Sequence, residues 1–299
     1  KMQGKASLKA TNMPFGSSRI ETLKLETTGA LSGAEITLET KGVTQTESDT
    51  TTGAPLFLRT KINVKRTDLW QLRLDTLKAG YENLKVNLQK PATLAYGDDG
   101  RISLDDLQLK MDKGLLQVKA HVDPEKVDVK IRITDLPLSL LEPFVGQDLD
   151  GRAEVSLELS GPLADPGVNV AVHLKEYKIM GRDDTQPIFL NAKLHSRRDG
   201  DRLLADLELS GLSKRPFKAE GSIPAHISLK PFAVRVDKDG HLEAKLQGLF
   251  NLAVLQTLPA MRDQSLRGLV NMDLGIGGSL EKWELNGGIT FSDGHYENI

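Results

Sequence analysis

The sequence predicts an all-β, mostly antiparallel protein, and three features favour this class. Apolar and polar residues alternate with a period of two along most of the chain, as in strands with one buried and one wet face. Gly, Pro, Asp and Asn separate these runs at positions that suit turns. A pattern also repeats, because the offset of 117 residues between Gly151 and Gly268 recurs between Gly161 and Gly278. Such a repeat indicates like units stacked side by side.

The first segment, residues 1–134, is predicted to be an array of hairpins. Its predicted strands share the alternating pattern and cover residues 6–10, 20–27, 34–40, 56–65, 70–74, 84–88, 94–96, 102–109, 116–122 and 127–133. Turns are predicted at Thr28-Gly29, at Asp98-Asp99-Gly100 and at Asp123-Pro124-Glu125, since these residue types favour tight reversals.

The period changes after residue 134. Leu138 and Leu141 lie at helical spacing with Phe144 and Val145 close behind, and Asp135 or Ser139 can cap a helix there. The repeat places a matching set at Leu252, Leu255 and Leu258. Two short helices are therefore predicted, and they divide the chain into segments 1–134, 135–249 and 250–299.

The alternation resumes after the first helix and again after the second. The remaining predicted strands cover residues 153–159, 168–174, 188–194, 202–209, 217–222, 226–229, 233–236, 242–248 and 270–276. Turns are predicted at residues 198–201 and 237–240, both of which contain Asp-Gly. Lys230-Pro231 is predicted to bend or bulge a strand, because proline cannot donate to a ladder.

Composition and motifs argue against catalysis and against nucleic-acid binding. The net charge is −2, so no long-range field draws the chain to DNA or RNA. There is no cysteine, and the six histidines are scattered without the spacing of metal ligands. The run 275–279 is glycine-rich but lacks the lysine of a phosphate loop. The sequence therefore predicts a protein that is not an enzyme and has no catalytic residues, metal site or cofactor.

The informative feature is the apolar face of the strands. Removing this face from water is favourable by about 25 cal/mol per Å² of apolar area buried. Two such sheets can cover each other as sandwiches or a barrel, and periodicity alone favours that arrangement. Alternatively, a single long sheet can curl into a trough whose lining is covered by acyl chains. The lack of domain linkers and a mainly aliphatic lining favour the trough, and aromatic residues make up only 5% of the whole chain.

The residues predicted to line this trough are the inward members of the strands. They are Leu116, Val118, Val129, Ile131, Ala153, Val155, Leu157, Leu159, Val168, Val170, Val172, Leu174, Ile188, Leu190, Leu194, Leu203, Leu207, Leu209, Leu242, Leu246, Val270, Met272, Leu274, Ile276, Leu285, Ile289 and Phe291. The predicted helices are expected to lie at its mouth through Leu138, Leu141, Phe144, Leu252, Leu255 and Leu258.

The repeat resembles the TamB family, the inner-membrane subunit of the translocation and assembly module, which is related to AsmA-like proteins. The passage LDGRAEVSLELSGPLADPGVNV, within residues 148–174, is similar to that family's pattern of L-x-G-x, alternating apolar residues and S-G-x-x-x-x-P. Residues 218–299 resemble it more fully, through AEGSIPAHISLKPF and SLRGLVNMDLGIGGSLEKWELNGGITFSDGHYENI. The second copy departs from the pattern at Trp283, where the first copy has Pro166. The resemblance covers about the C-terminal two thirds of the chain.

The resemblance implies a β-taco, which is an elongated curled sheet with a continuous hydrophobic groove. It also implies a periplasmic location, with an N-terminal anchor in the inner membrane that this chain does not contain. Phospholipid acyl chains would be the cargo, carried between inner and outer membranes. An outer-membrane barrel partner of the TamA type would be met through regions outside this chain, since both ends of the sequence look cut.

Two other functions stay open on the sequence. One is a scaffold that assists the assembly of outer-membrane β-barrel proteins by offering sheet edges to nascent strands. The other is a non-catalytic array of β-sandwiches that binds its ligand through loops. A sandwich array requires closed cores and functional loops, whereas the loops here carry little beyond Gly, Pro, Asp and Thr.

Overall fold

The computed structural model describes residues 4–15, 18–30, 32–44, 55–81, 84–142, 149–179, 188–211, 213, 215–252 and 264–298. These residues form nineteen strands: β1 (Gly4–Phe15), β2 (Ser18–Ala30), β3 (Gly33–Thr44), β4 (Pro55–Arg66), β5 (Trp70–Tyr81), β6 (Leu84–Leu88), β7 (Ala92–Tyr96), β8 (Ile102–Met111), β9 (Gly114–Val122), β10 (Lys126–Pro137), β11 (Arg152–Pro162), β12 (Gly167–Ile179), β13 (Ile188–Asp199), β14 (Arg202–Ser210), β15 (Phe217–Leu229), β16 (Phe232–Val236), β17 (Glu243–Asn251), β18 (Gln264–Gly278) and β19 (Trp283–Asn298). The strands pair antiparallel, so the prediction of an all-β, antiparallel protein is confirmed.

The chain divides into an N-terminal unit, residues 1–136, and a C-terminal unit, residues 137–299. In the N-terminal unit, β1 to β5 pair in sequence order, and β5 pairs with β6 at one end and with β7 at the other. Both short strands pair with β8, which is followed by β9 and β10. In the C-terminal unit, β11 to β15 pair in order. β15 then pairs with β16 over its second half and with β17 over its first, and β18 and β19 follow.

The predicted turn at Thr28-Gly29 is wrong, because both residues lie inside β2 and pair with Glu35 and Ala34. A Cβ at Gly29 would lie 2.4 Å from the Gly33 oxygen, so the glycine serves close approach of two strands and not a reversal. The predicted strands 217–222 and 226–229 are likewise one strand, β15. Lys230-Pro231 lies in the turn between β15 and β16 and does not bend a strand.

The first predicted helix is present as a single turn of 3-10 helix, Leu138–Leu141. Neither Asp135 nor Ser139 is its cap, because β10 continues through Asp135 to Pro137 and Ser139 lies inside the turn. The second predicted helix, over residues 251–262, lies almost wholly outside the described residues, and the strand before it, β17, ends at Asn251.

Gly287 and Gly288 in β19 give a matched test of backbone constraint. Gly287 has φ +112, and a Cβ there would lie 1.9 Å from the Asp273 oxygen, whereas a Cβ at Gly288 would meet nothing within 4 Å. We expect Gly287→Ala to destabilise the β18–β19 hairpin by about 1–3 kcal/mol. Gly288→Ala is expected to be neutral or slightly stabilising, since it reduces the entropy of the unfolded chain. Hydrogen exchange of β19 amides measures both, and equal protection in the two variants would contradict the assigned conformation.

Candidate functional site

The register of the C-terminal unit places apolar residues on one face of consecutive strands. Residues directly opposite each other in an antiparallel pair point to the same side of the sheet. Val155 lies opposite Val172, which lies opposite Leu194, which lies opposite Leu207. The complete row crosses eight strands and consists of Val155, Val172, Leu194, Leu207, Ala219, Leu246, Leu274 and Gly287.

Most of the predicted lining residues of this unit belong to that row or to the rows beside it, which together form what we call the apolar face. These residues are Ala153, Leu157, Leu159, Val168, Val170, Leu174, Leu190, Leu203, Leu209, Val270, Met272, Ile276, Leu285, Ile289 and Phe291. Leu242 precedes β17 and is buried, with its N–H donating to the Gly278 oxygen at 2.8 Å. Ile188 opens β13 and pairs with Ile179, and its side chain lies outside the described part of the chain.

The four predicted lining residues of the N-terminal unit also share one side of their two strands. Val118 in β9 lies opposite Ile131 in β10, and Val129 lies opposite Ala120. Leu116 lies opposite Ile133 at the next position of the same face. The alternating apolar residues of the sequence therefore form one apolar side of the β9–β10 pair.

The opposite side of the C-terminal unit carries paired charges. Lys175 Nζ lies 2.6 Å from Glu154 Oε1 across β11 and β12. Glu208 on β14 stands between Lys193 at 3.9 Å and Lys218 at 3.5 Å, on the two neighbouring strands. Exposed pairs of this kind stabilise a fold by only about 0–1 kcal/mol each. They nevertheless mark this side of the sheet as the one that faces water.

The N-terminal unit has a comparable charged side. Lys24 Nζ lies 2.9 Å from Glu26 Oε1, and Arg59 Nε lies 3.0 Å from Glu39 Oε1. The hydrogen bond between Lys24 and Glu26, together with their mutual attraction, raises the pKa of Lys24 and lowers the pKa of Glu26. Both groups are therefore charged at neutral pH, and this side of β2 is polar under physiological conditions.

The sheet of the C-terminal unit curls around its apolar face. Leu190 in β13 packs against Phe250 in β17, although β14 and β15 lie between these strands in the pairing order. Three strand spacings would separate the two backbones by about 14 Å in a flat sheet. Phe250 also meets Phe217 edge to face at 5.5 Å between ring centroids. This end of the apolar face, which also contains the buried Val270, is a packed cluster.

The opposite end of the same face is bridged by backbone. The Leu229 N–H donates to the Leu163 oxygen at 2.7 Å, joining the end of β15 to the loop between β11 and β12. β13 and β14 lie between β12 and β15, so a flat sheet would hold these segments far apart. Pro166 in the loop and Ala225 in β15 are both buried. The curl of the sheet therefore brings the β11–β12 loop against the β15 end.

Other positions on the apolar face are accessible to solvent. Leu194 is 38% exposed, Ile289 47% and Phe291 67%, although all three lie on the apolar face. In a closed sandwich such residues would be part of a core that excludes water. β19 is exposed on both sides of the sheet, and Trp283 and Leu285 on its apolar side are exposed as well. The face is therefore curled but not sealed.

The residues predicted to lie at the mouth are only partly described. Leu138 is buried, and its N–H donates to the Gly151 oxygen at 3.0 Å, which fixes the 3-10 turn beside the start of β11. Leu141 is exposed at the end of the same turn, and Leu252 follows β17. Phe144, Leu255 and Leu258 lie outside the described residues.

Sequence reasoning missed several members of the apolar face. Tyr177 pairs with Leu190 because a β-bulge at Glu176, with φ +52, shifts the alternation from even to odd positions. The sequence does contain a signal for this bulge, since the apolar residues change from even positions, ending at Leu174, to the odd position Tyr177. Phe217 and Phe250 were also missed, because each stands at the end of a strand, where a two-residue period has no room to repeat.

Comparison with protein-family models, with curated proteins and with solved structures finds no match. The resemblance to the TamB family therefore stays a prediction from the residues quoted above. Among the described residues, no helix is both long enough and apolar enough to cross a membrane.

Proposed function

We propose that the apolar face of the curled sheet holds phospholipid acyl chains and conducts them between the inner and outer membranes. The observation that supports this most directly is a row of apolar residues crossing eight strands on the inner side of a sheet that is not sealed. Seven strand spacings make this row about 34 Å long. That length exceeds the roughly 15 Å occupied by one leaflet of a bilayer core, so an acyl chain can lie along it.

The division of polarity fits an amphiphile. Acyl chains would replace water on the apolar face. Their binding would be favoured by about 25 cal/mol for each Å² of apolar area that they cover. Head groups would stay at the accessible side of the face, where Ile289 and Phe291 are exposed. The charged side, with its ion pairs at Glu154 and Glu208, would take no part. Movement along such a face needs no catalytic group, metal or cofactor.

Photo-crosslinking tests this proposal through matched neighbours on one strand. A photo-reactive residue at Leu274 or Met272 points to the apolar face, whereas the same residue at Asp273 points to the charged side. We expect the first two sites to capture radiolabelled phospholipid in cells and Asp273 to give background only. Equal capture at all three sites, or capture at none, would contradict lipid conduction along this face.

A scaffold for strand addition is a second candidate, supported by β19 alone. This strand spans 16 residues, and its large apolar side chains Trp283, Leu285 and Phe291 are all more than half exposed. Exposed apolar strands accept additional strands readily. The crosslinks separate the two functions, because a scaffold would give protein adducts from β19 and no lipid adducts from Leu274.

A further inference from the structure

An arginine interrupts the apolar face. Arg198 in β13 follows Leu190, Ala192, Leu194 and Ser196 at even positions, so it points to the same side as they do. Its partner in β14 is Leu203, which lies opposite Ile223 in β15. The Arg198 side chain is only 5% exposed. A buried cation among apolar residues requires a counter-charge and saturated hydrogen bonds to be stable.

The guanidinium of Arg198 is incompletely satisfied. Nη1 donates to the Pro166 oxygen at 3.0 Å, and Nη2 pairs with the Asp165 carboxylate. Nε is buried and has no hydrogen-bond partner within the described part of the chain. Nε and Nη2 form the edge of a guanidinium that carboxylates and phosphates grip with two oxygens. Asp165 therefore occupies half of a site that a free oxyanion can fill completely.

Asp165 is also a replaceable partner. It belongs to the loop between β11 and β12, and its side chain is 67% exposed. That loop is joined to β15 through the Leu163 oxygen and the Leu229 N–H. Displacing Asp165 would free the loop and open the Arg198 end of the apolar face. Because the Arg198 side chain is only 5% exposed and contacts both Asp165 and the Pro166 oxygen, an incoming group must move the loop to reach it.

We propose that Arg198 binds the anionic head of an acyl amphiphile, a carboxylate or a phosphate, which displaces Asp165 and opens the bridged end of the apolar face. This site rests on the proposed function, because the acyl chain of the ligand lies on the apolar face beside Leu203 and Val168. Asp165 occupies the place of the head group while no ligand is bound. The bridge at Leu163 and Leu229 is then a closure that an anionic ligand releases.

Two fluorescent probes with the same acyl chain test this site, one ending in a carboxylate and the other in its methyl ester. With the purified chain, both probes are expected to bind, and the carboxylate about tenfold more tightly, as a charge-assisted bond to Arg198 requires. Arg198→Met should remove the preference for the carboxylate over the ester. Asp165→Asn keeps the shape of the loop, removes the competing charge and should raise carboxylate affinity several-fold.

The outcomes distinguish the site from the proposed function. If neither probe binds, lipid binding by the apolar face fails, and the head-group site fails with it. If both bind equally, or the preference survives in a folded Arg198→Met variant, only the Arg198 site is overturned. Circular dichroism establishes folding, and Asp165→Asn carries the test by itself if Arg198→Met does not fold. Displacement of the carboxylate probe by a lysophospholipid with a terminal phosphate, compared with a fatty acid of equal length, identifies which head group is preferred.

Discussion

Replacing Val270 by Asp is expected to unfold the C-terminal unit. Val270 is only 2% exposed and lies opposite Phe250 in β17 and Phe291 in β19. A carboxylate at this position would have an apolar row on either side and would be buried without a partner. The cost of an uncompensated buried charge is about 3–5 kcal/mol, which is a large share of the 5–15 kcal/mol that stabilises a typical domain. Thermal unfolding followed by circular dichroism should show the loss.

The control for this change is Asn271→Asp. It introduces the same charge one residue along β18, at an exposed position on the charged side. Surface substitutions of this kind change stability by about 0.5 kcal/mol or less. If both variants melted like the native chain, the packed cluster around Leu190, Phe250 and Val270 would not be a stabilising core.

The side of the sheet to which each side chain points was predictable, because successive side chains in a strand point to opposite faces. The alternation of apolar and polar residues in the sequence therefore maps directly onto the two faces. A slip of one residue would turn Val155, Leu157 and their partners outward and bring Glu154 inward, so the hydrophobic pattern specifies the register. The hairpin from residue 152 to 174 therefore follows from the sequence alone. The same reasoning extends across β14, β17 and β18, where apolar residues stand opposite each other.

The curl of the sheet was not predictable from alternation. It depends on contacts between strands that are distant in pairing order, such as Leu190 with Phe250 and Leu163 with Leu229. A period of two describes which side a residue faces but carries no information on how far that side bends. The bulge at Glu176 is a further example, since one extra residue changes both twist and facing.

Arg198 shows why a buried charge can be overlooked in a correct pattern. The sequence predicts Arg198 to lie in the turn at residues 198–201, whereas in the structure it continues the even-numbered series of β13 and lies opposite Leu203. Only the position of the β11–β12 loop, with Asp165 and Pro166 against the guanidinium, makes it a buried group. Burial of a charge is a tertiary property, and neither composition nor spacing reports it.

Met272→Arg is expected to leave the C-terminal unit folded and to abolish most of the lipid binding proposed for its apolar face. Met272 lies on the apolar face only two residues from Val270, but it is half-buried and stands opposite Ile289, which is 47% exposed. A long cationic side chain can reach water from there while its stem covers apolar surface, so the cost to folding is small. An acyl chain passing the same point would meet a charge, and we expect phospholipid capture by a photo-reactive residue at Leu274 to fall at least tenfold, which corresponds to about 1.4 kcal/mol.

Asn271→Arg is the matched control for this last change, because it places the same cation on the charged side of β18 and should preserve both folding and lipid capture.

The comparison of Met272→Arg with Val270→Asp then separates two architectures. In a closed sandwich, Val270 and Met272 would belong to one dry core, and a charge at either would unfold the unit. In a curled sheet with an accessible face, the first change unfolds the protein and the second leaves it folded but unable to hold lipid. Unfolding by Met272→Arg, or full lipid capture in a folded Met272→Arg variant, would each contradict conduction of acyl chains along this face.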